Sequence, residues 1–186
     1  MAKAKKADTV YQLKITLRDI RPPVWRRVQV KDCTLAKLHD IIQTVMGWTE
    51  SHLHAFEIGG EQYGEPDPMG MMEYRSERST RLSQVVARGH KKFTYVYDFG
   101  DNWEHVIEVE KELPPEPGAR YPRCVAGKRA SPPEDCGGAW GYADFLAAIR
   151  NPAHEEHEEM LEWVGGEFDP EAFDPDDVNQ QLQGAR

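Results

Sequence analysis

Apolar and polar residues alternate through Tyr11, Leu13, Ile15 and Leu17, the period of two expected of a strand with one buried face. Arg21-Pro22-Pro23 breaks that run, because proline brings no N–H to a ladder. Val24, Arg26, Val28 and Val30 then resume it, so the chain is predicted to open with two neighbouring strands. Leu35, Leu38, Ile41, Ile42 and Val45 change to the three-four spacing of an amphipathic helix. Thr34 is placed to cap its start and Gly47 to close it. His52 to Ile58 is predicted to be a third strand, followed by a polar, Met-rich loop from Gly59 to about Ser79.

Leu82, Val85 and Val86 predict a short helix ending near Gly89. Phe93 to Asp98 and Trp103 to Glu110 are predicted strands joined through the turn-forming residues Phe99-Gly100-Asp101-Asn102. Leu113-Pro114-Pro115-Glu116-Pro117-Gly118 is a stiff connector, and no period is visible between Tyr121 and Gly141. Phe145, Leu146 and Ile149 mark a short helix. Asn151-Pro152, Asp169-Pro170 and Asp174-Pro175 each carry the signal of a further helix start. The expected fold is α+β: a mixed β-sheet with a packed helix, a β-grasp-like start, and a C-terminal flap of short helices. Residues 1–9 form a basic tail and 10–182 one domain, divided into sheet and helices (10–112), a Pro/Gly/Cys-rich loop (113–141) and an acidic helical flap (142–182).

Composition narrows the class. Hydrophobic residues are 39% of the 186 and charged residues 30%, but five Trp, seven Tyr and six Phe supply core material that a wholly disordered chain would lack. No apolar run approaches the ~20 residues of a membrane helix, and MAKAKKAD holds no signal-peptide core. With only three Cys, a reducing, cytoplasmic location is expected. The net charge of −9 hides a gradient: residues 1 to 30 carry eight Lys/Arg against two acids, whereas 151 to 185 carry eleven acids and no Lys or Arg. Such a balance disfavours nonspecific nucleic-acid binding. Arg18, Arg21, Arg26 and Arg27 could still touch phosphate, or they could pair with the acidic end. The flap would then dock mainly through Leu161, Trp163, Phe168 and Phe173, and at least three of Trp25, Trp48, Trp103 and Trp140 are expected to be buried.

Candidate chemistry lies in two places. His52 and His54, two apart in a predicted strand, would share a face, and Asp98, Asp101 and His105 surround the later hairpin turn. His52, His54, Asp98 and His105 together would suit zinc or manganese, if the two segments meet; otherwise Asp101-Asn102 are turn residues and the histidines structural. Cys124 and Cys136 are a weaker pair, since their spacing matches no zinc knuckle. His154 and His157 fall among glutamates and read as a solvated face.

The runs Tyr11-Gln12-Leu13-Lys14-Ile15, Arg21-Pro22-Pro23-Val24-Trp25-Arg26-Arg27, Leu38-His39, Gly47-Trp48, His52-Leu53-His54, Tyr97-Asp98-Phe99-Gly100-Asp101-Asn102-Trp103-Glu104-His105 and Pro132-Pro133-Glu134-Asp135-Cys136-Gly137-Gly138 resemble the Ri-plasmid ORF-three-like family, which includes passenger proteins of an insertion element. The likeness runs from about Val10 to Leu182. It implies a compact α+β domain and a link to plasmids and mobile elements, without an established activity. It also implies a Cys in many relatives where this chain has Ser131, which weakens any cysteine-based zinc site here.

Three functions follow as expectations. The first is a non-enzymatic binding module holding a protein partner or small-molecule ligand. The second is a metal-dependent hydrolase, on a phosphoester for example, with Asp101 or Glu134 as general base toward metal-bound water. The third is a DNA-associated accessory protein of a mobile element, acting through the four arginines.

Overall fold

The computed structural model describes residues 8–184; the lysines of the basic tail, Lys3, Lys5 and Lys6, fall outside them. All eight strands join one sheet in the order β5-β4-β3-β6-β7-β1-β2-β8. β1 (Val10–Leu17) and β2 (Trp25–Lys31) pair antiparallel, and β1 also pairs with β7 (Trp103–Leu113). β3 (His54–Ile58) follows α1 (Leu35–Met46) in the chain and pairs with β6 (Lys92–Tyr97), which in turn pairs with β7. Only β4 (Glu61–Gly64) and β5 (Arg75–Ser76) run parallel, so the sheet is mixed.

Local chemistry explains the best-defined helix. Thr34 accepts a hydrogen bond from the Lys37 amide at 3.1 Å, and Gly47 closes the far end at φ +73°, a left-handed conformation suited to glycine. α1 buries Leu35, Leu38, Ile42 and Val45 together with inward strand residues such as Leu13, Ile15, Val28, Tyr95 and Ile107. The other sheet face carries a polar ladder: Gln12 donates to Glu110, Gln29 to Gln12, and Arg123 to Gln29.

Three strands occupy segments expected to be loop. β4 and β5 lie inside the Met-rich stretch, and β8 (Arg123–Lys128) lies inside the aperiodic one. The turn starts also sort differently. Asn151 ends α3 (Gly138–Arg150), and its side chain accepts from the Ala153 amide instead of opening a helix; α4 is His157–Val164. Asp169 likewise caps only a turn, whereas Asp174-Pro175 does open α5 (Pro175–Gly184). The short helix α2 is Leu82–Ala87.

The central tie is Arg26, only 2% exposed. Its Nε donates to the Val45 carbonyl at 2.9 Å, at the end of α1. Nη1 donates to the Trp25 and Lys128 carbonyls, Nη2 to Ser131 Oγ at 3.0 Å, and the Phe173 ring stands 4.0 Å from the guanidinium. Burial lowers its pKa to about 10, so the group remains charged at neutral pH. The negative end of the α1 dipole gives it a favourable place.

The C-terminal helices fold back onto the core through part of the expected set, Phe168 and Phe173, and not through Leu161 or Trp163. Phe168, Phe173, Val178 and Leu182 pack on the core, while Trp163 stays 46% exposed. The arginines do not reach the acidic end: Arg18 pairs with Glu104, Arg27 with Glu110, and Arg26 is buried. Among the described residues, the arginine that pairs with an acid of the flap is Arg129, which donates to Glu171. Of the four tryptophans, Trp48 and Trp103 are buried, Trp25 is half-buried under Lys14 and Arg27, and Trp140 is 88% exposed. The expectation of three buried tryptophans is therefore corrected to two.

Two stability outcomes follow. In urea unfolding, Arg26→Met should cost at least about 3 kcal/mol, because it strands several buried acceptors at once, and Arg26→Lys should recover little of it, since an ammonium cannot fork to the same acceptors. Trp103→Ala should cost about 3–5 kcal/mol, while Trp140→Ala should stay within about 0.5 kcal/mol of the parent protein.

Candidate functional site

β3 begins at His54, so His52 lies in the bend before it and the two histidines do not share a strand face. His54 turns inward. Its ring stacks on His39 of α1, with centroids 3.4 Å apart and planes 7° from parallel, and its Nε2 donates to the buried Glu77 at 2.7 Å. The partners assign the tautomer of His39. Nε2–H points to Glu50 Oε1 at 3.3 Å, so Nδ1 accepts from the Tyr95 hydroxyl at 2.7 Å. Gln43 closes this network, donating to Tyr95 and accepting from the Glu50 amide.

His105 is fully buried opposite Tyr95 in the β6–β7 pair. Its Nδ1 donates to the Tyr95 carbonyl at 3.2 Å, and Trp48 meets its ring edge-on at 5.3 Å. Trp48 also stacks on Tyr97 and Trp103 and donates from Nε1 to the Pro132 carbonyl. An aromatic wall thus stands behind the loops.

His52 reaches a different set. Its Nε2 lies 2.7 Å from Asp135 Oδ1 and 3.6 Å from Asp98 Oδ2. That nitrogen is shielded from solvent, yet it makes no hydrogen bond of proper geometry. The structure therefore brings together His52 and Asp98 of the four expected ligands, adds Asp135, and gives His54 and His105 other partners. A second convergent group is His39, Asp40 and Glu50. His39, Glu50, Ser51, His52, His54 and Glu65 line one cleft of about 390 Å³.

The loops that meet here are strained. Glu50, Asp98, Asn102 and Asp135 all have φ between +57° and +62°, costly for residues other than glycine and frequent at functional sites. The loops also press closely together. A Cβ on Gly138 would stand 2.5 Å from the Asp101 carbonyl oxygen. Asp98 is held by the Gly100 and Asp101 amides, and Asp101 accepts from the Gly137 amide. Glu134 accepts from the Tyr97 hydroxyl through one oxygen and from Thr49 N and Oγ1 through the other.

The cysteines stand apart. Cys124 Sγ donates to the Ala126 carbonyl. Burial, reinforced by Asp101, pushes the Cys136 thiol up to about 12, which keeps it protonated and poorly suited to a metal. Among the described residues neither joins a three-donor group. Ser131, in the position where the resemblance implies a Cys, is taken by Arg26 and Met46. His157 donates to the Ala148 carbonyl, and His154 accepts from the Glu156 amide.

The plasmid pRiA4b ORF-3-like family matches residues 9–177. The chain belongs to that family. It is 41% identical over 177 residues to the uncharacterised protein y4hQ of Sinorhizobium fredii, covering 94% of this chain and 91% of that one. It also resembles the crystal structure of MM3350, a protein of unknown function from Methanosarcina mazei Go1, at 42% identity and a TM-score of 0.86, covering 93% of this chain and 99% of that one. Three of the strained residues of this pRiA4b ORF-3-like chain, Asp98, Asn102 and Asp135, lie in segments that carried the resemblance in its sequence. Among the described residues no helix is long and apolar enough to cross a membrane.

His39 and His105 both have pKa values lowered to about 4, chiefly by burial. The unfolded chain, with histidines near 6.5, binds these protons first. Stability should therefore be complete above about pH 6.5 and fall as pH drops toward about 4. Urea melts across that window should show a shallower dependence in His39→Gln than in the parent protein.

Proposed function

We propose that the protein is a binding module whose ligand is held by a divalent cation, zinc or manganese, on His52, Asp98 and Asp135. The observation that carries this reading is the His52 Nε2 atom, buried beside two carboxylates and hydrogen-bonded to neither. A cation between the three groups would satisfy the imidazole lone pair and both acids together. One imidazole with two carboxylates suits zinc or manganese better than a soft, thiolate-seeking ion. The donor atoms lie within 4.8 Å of one another; two opposed bonds of about 2.2 Å reach about 4.4 Å, so side-chain shifts of a few tenths of an ångström would close them on one ion. The neighbouring cleft of about 390 Å³ leaves room for a small ligand or a partner's side chain to complete the coordination.

Binding fits better than hydrolysis. A general base must have a free lone pair within reach of the water it activates. Both Glu134 oxygens are held by Tyr97 and Thr49, and Asp101 is tied through Oδ2 to the Gly137 amide, so both carboxylates are engaged in loop contacts. Among the described residues, the DNA-accessory reading keeps only Arg21 of its four arginines exposed and unneutralised, because Arg18 and Arg27 are paired with neighbouring acids and Arg26 is inside.

Calorimetric titration of untagged, metal-stripped protein with zinc or manganese chloride should show one equivalent bound. His52→Ala and Asp135→Asn should each weaken it at least about tenfold, as loss of one of three ligands requires, while His54→Gln leaves the affinity near that of the parent. Absence of binding at millimolar metal would reject the site. Manganese-dependent cleavage of a simple phosphodiester, abolished by Glu134→Gln, would establish the hydrolase instead.

A further inference from the structure

We propose that the cleft between α3 and α4 is a docking site for a basic peptide segment carrying an aliphatic or aromatic side chain. It does not depend on a cation at His52, with which it shares only Asp135.

The cleft has a volume of about 390 Å³. Its floor is apolar: Phe145 is buried, Met160 is partly buried, and Trp163 meets Phe145 edge-on at 5.7 Å while remaining 46% exposed. Its rim is acidic. Asp135, Asp144 and Glu156 line it, and no Lys, Arg or His does. Trp140 adds a second aromatic surface. It stands four residues before Asp144 on α3, so the two share a helix face, and at 88% exposure it packs on nothing in its own chain that would account for so large an apolar group.

Charge selects the occupant. The segment from 151 to 185, which includes α4, carries eleven acids and no Lys or Arg. An anionic ligand would be repelled, and a neutral one would leave Asp144 and Glu156 without a counter-charge. A cation satisfies both the rim and the two indoles, whose faces attract Lys and Arg. Trp140 lies on the same helix face beyond the cleft itself, and a ligand that reaches both is longer than one side chain, which suits a peptide. Exposed tryptophans beside an acidic rim, meeting arginine or lysine, are the residue types that dominate such interfaces.

The test uses the full chain and three fluorescein-labelled nonapeptides of equal apolar content, one strongly positive, one neutral and one strongly negative. Fluorescence anisotropy should show binding of the positive peptide alone, weakening as salt rises. Trp163→Ala, Trp140→Ala and the double variant Asp144→Asn/Glu156→Gln should each weaken it at least about tenfold. Asp176→Asn/Asp177→Asn, on α5, should leave it unchanged. These substitutions leave His52, Asp98 and Asp135 intact, so metal titration of the same variants separates this proposal from the cation site. No binding of the positive peptide at low ionic strength would overturn the proposal. So would an equal loss in the α5 control, which would show diffuse attraction to an acidic surface. Sedimentation showing a dimer that Trp140→Ala dissolves would assign the face to a second copy and overturn it as well.

Discussion

One buried guanidinium holds the separate parts of this structure in register. Arg26 belongs to β2, but its four hydrogen bonds reach the end of α1, the backbone of β8 and the hydroxyl of Ser131, and Phe173 of the flap covers its face. A buried charge is costly unless its donors are met and an opposing field is near. Here neutral carbonyls and the α1 terminus provide both. The two segments Arg26 anchors run directly into the loops of the candidate site: Val45 leads into Trp48 and Glu50, and Ser131 leads into Glu134 and Asp135. Trp48 Nε1 then ties them again through the Pro132 carbonyl. The geometry around His52 is therefore set from inside the core, by contacts that never touch a ligand.

That arrangement also explains how the loops remain in unfavourable backbone conformations. Four residues near φ +60° would relax if their surroundings allowed it. They are held by a fixed aromatic wall of Trp48, Tyr97, Trp103 and His105 on one side. On the other, Gly138 lets the backbone of α3 approach Asp101 where no larger residue would fit. Rigidity at a site of this kind lowers the ordering cost of whatever it binds.

The parts legible in the sequence are those governed by local rules. Thr34, the three-four spacing and Gly47 together specified α1, and period two specified β1, β2, β6 and β7. β4 has only Tyr63 as a large apolar residue, and β8 is an edge strand with a bulged register opposite Arg27 and Val28, so neither shows a period. Asn151-Pro152 misled because an Asn side chain can close a turn as readily as it opens a helix. At the site, His52 and Asp98 stood out as ligand types in short dense runs. Asp135 did not, because its approach to His52 is made by tertiary contacts through Ser131, Pro132 and Glu134. Glu77 was invisible, and His39 stood only in the motif Leu38-His39 with no role attached, for the same reason: nothing in a helix or a polar loop announces a partner buried across the fold.

The ends of the sheet have a consequence for how molecules of this protein meet. β5 is two residues long, too short to template another strand. β8 is longer, but α5 lies against it, and the side-chain amide of Asn179 both donates to the Cys124 carbonyl and accepts from the Cys124 amide. A single asparagine thereby imitates the strand that would otherwise dock there. Open sheets of this width are prone to grow by edge-to-edge addition. With one end cut short and the other capped at Cys124 by a side chain of the same molecule, the two outer strands offer neighbouring copies only short stretches of backbone to zip onto.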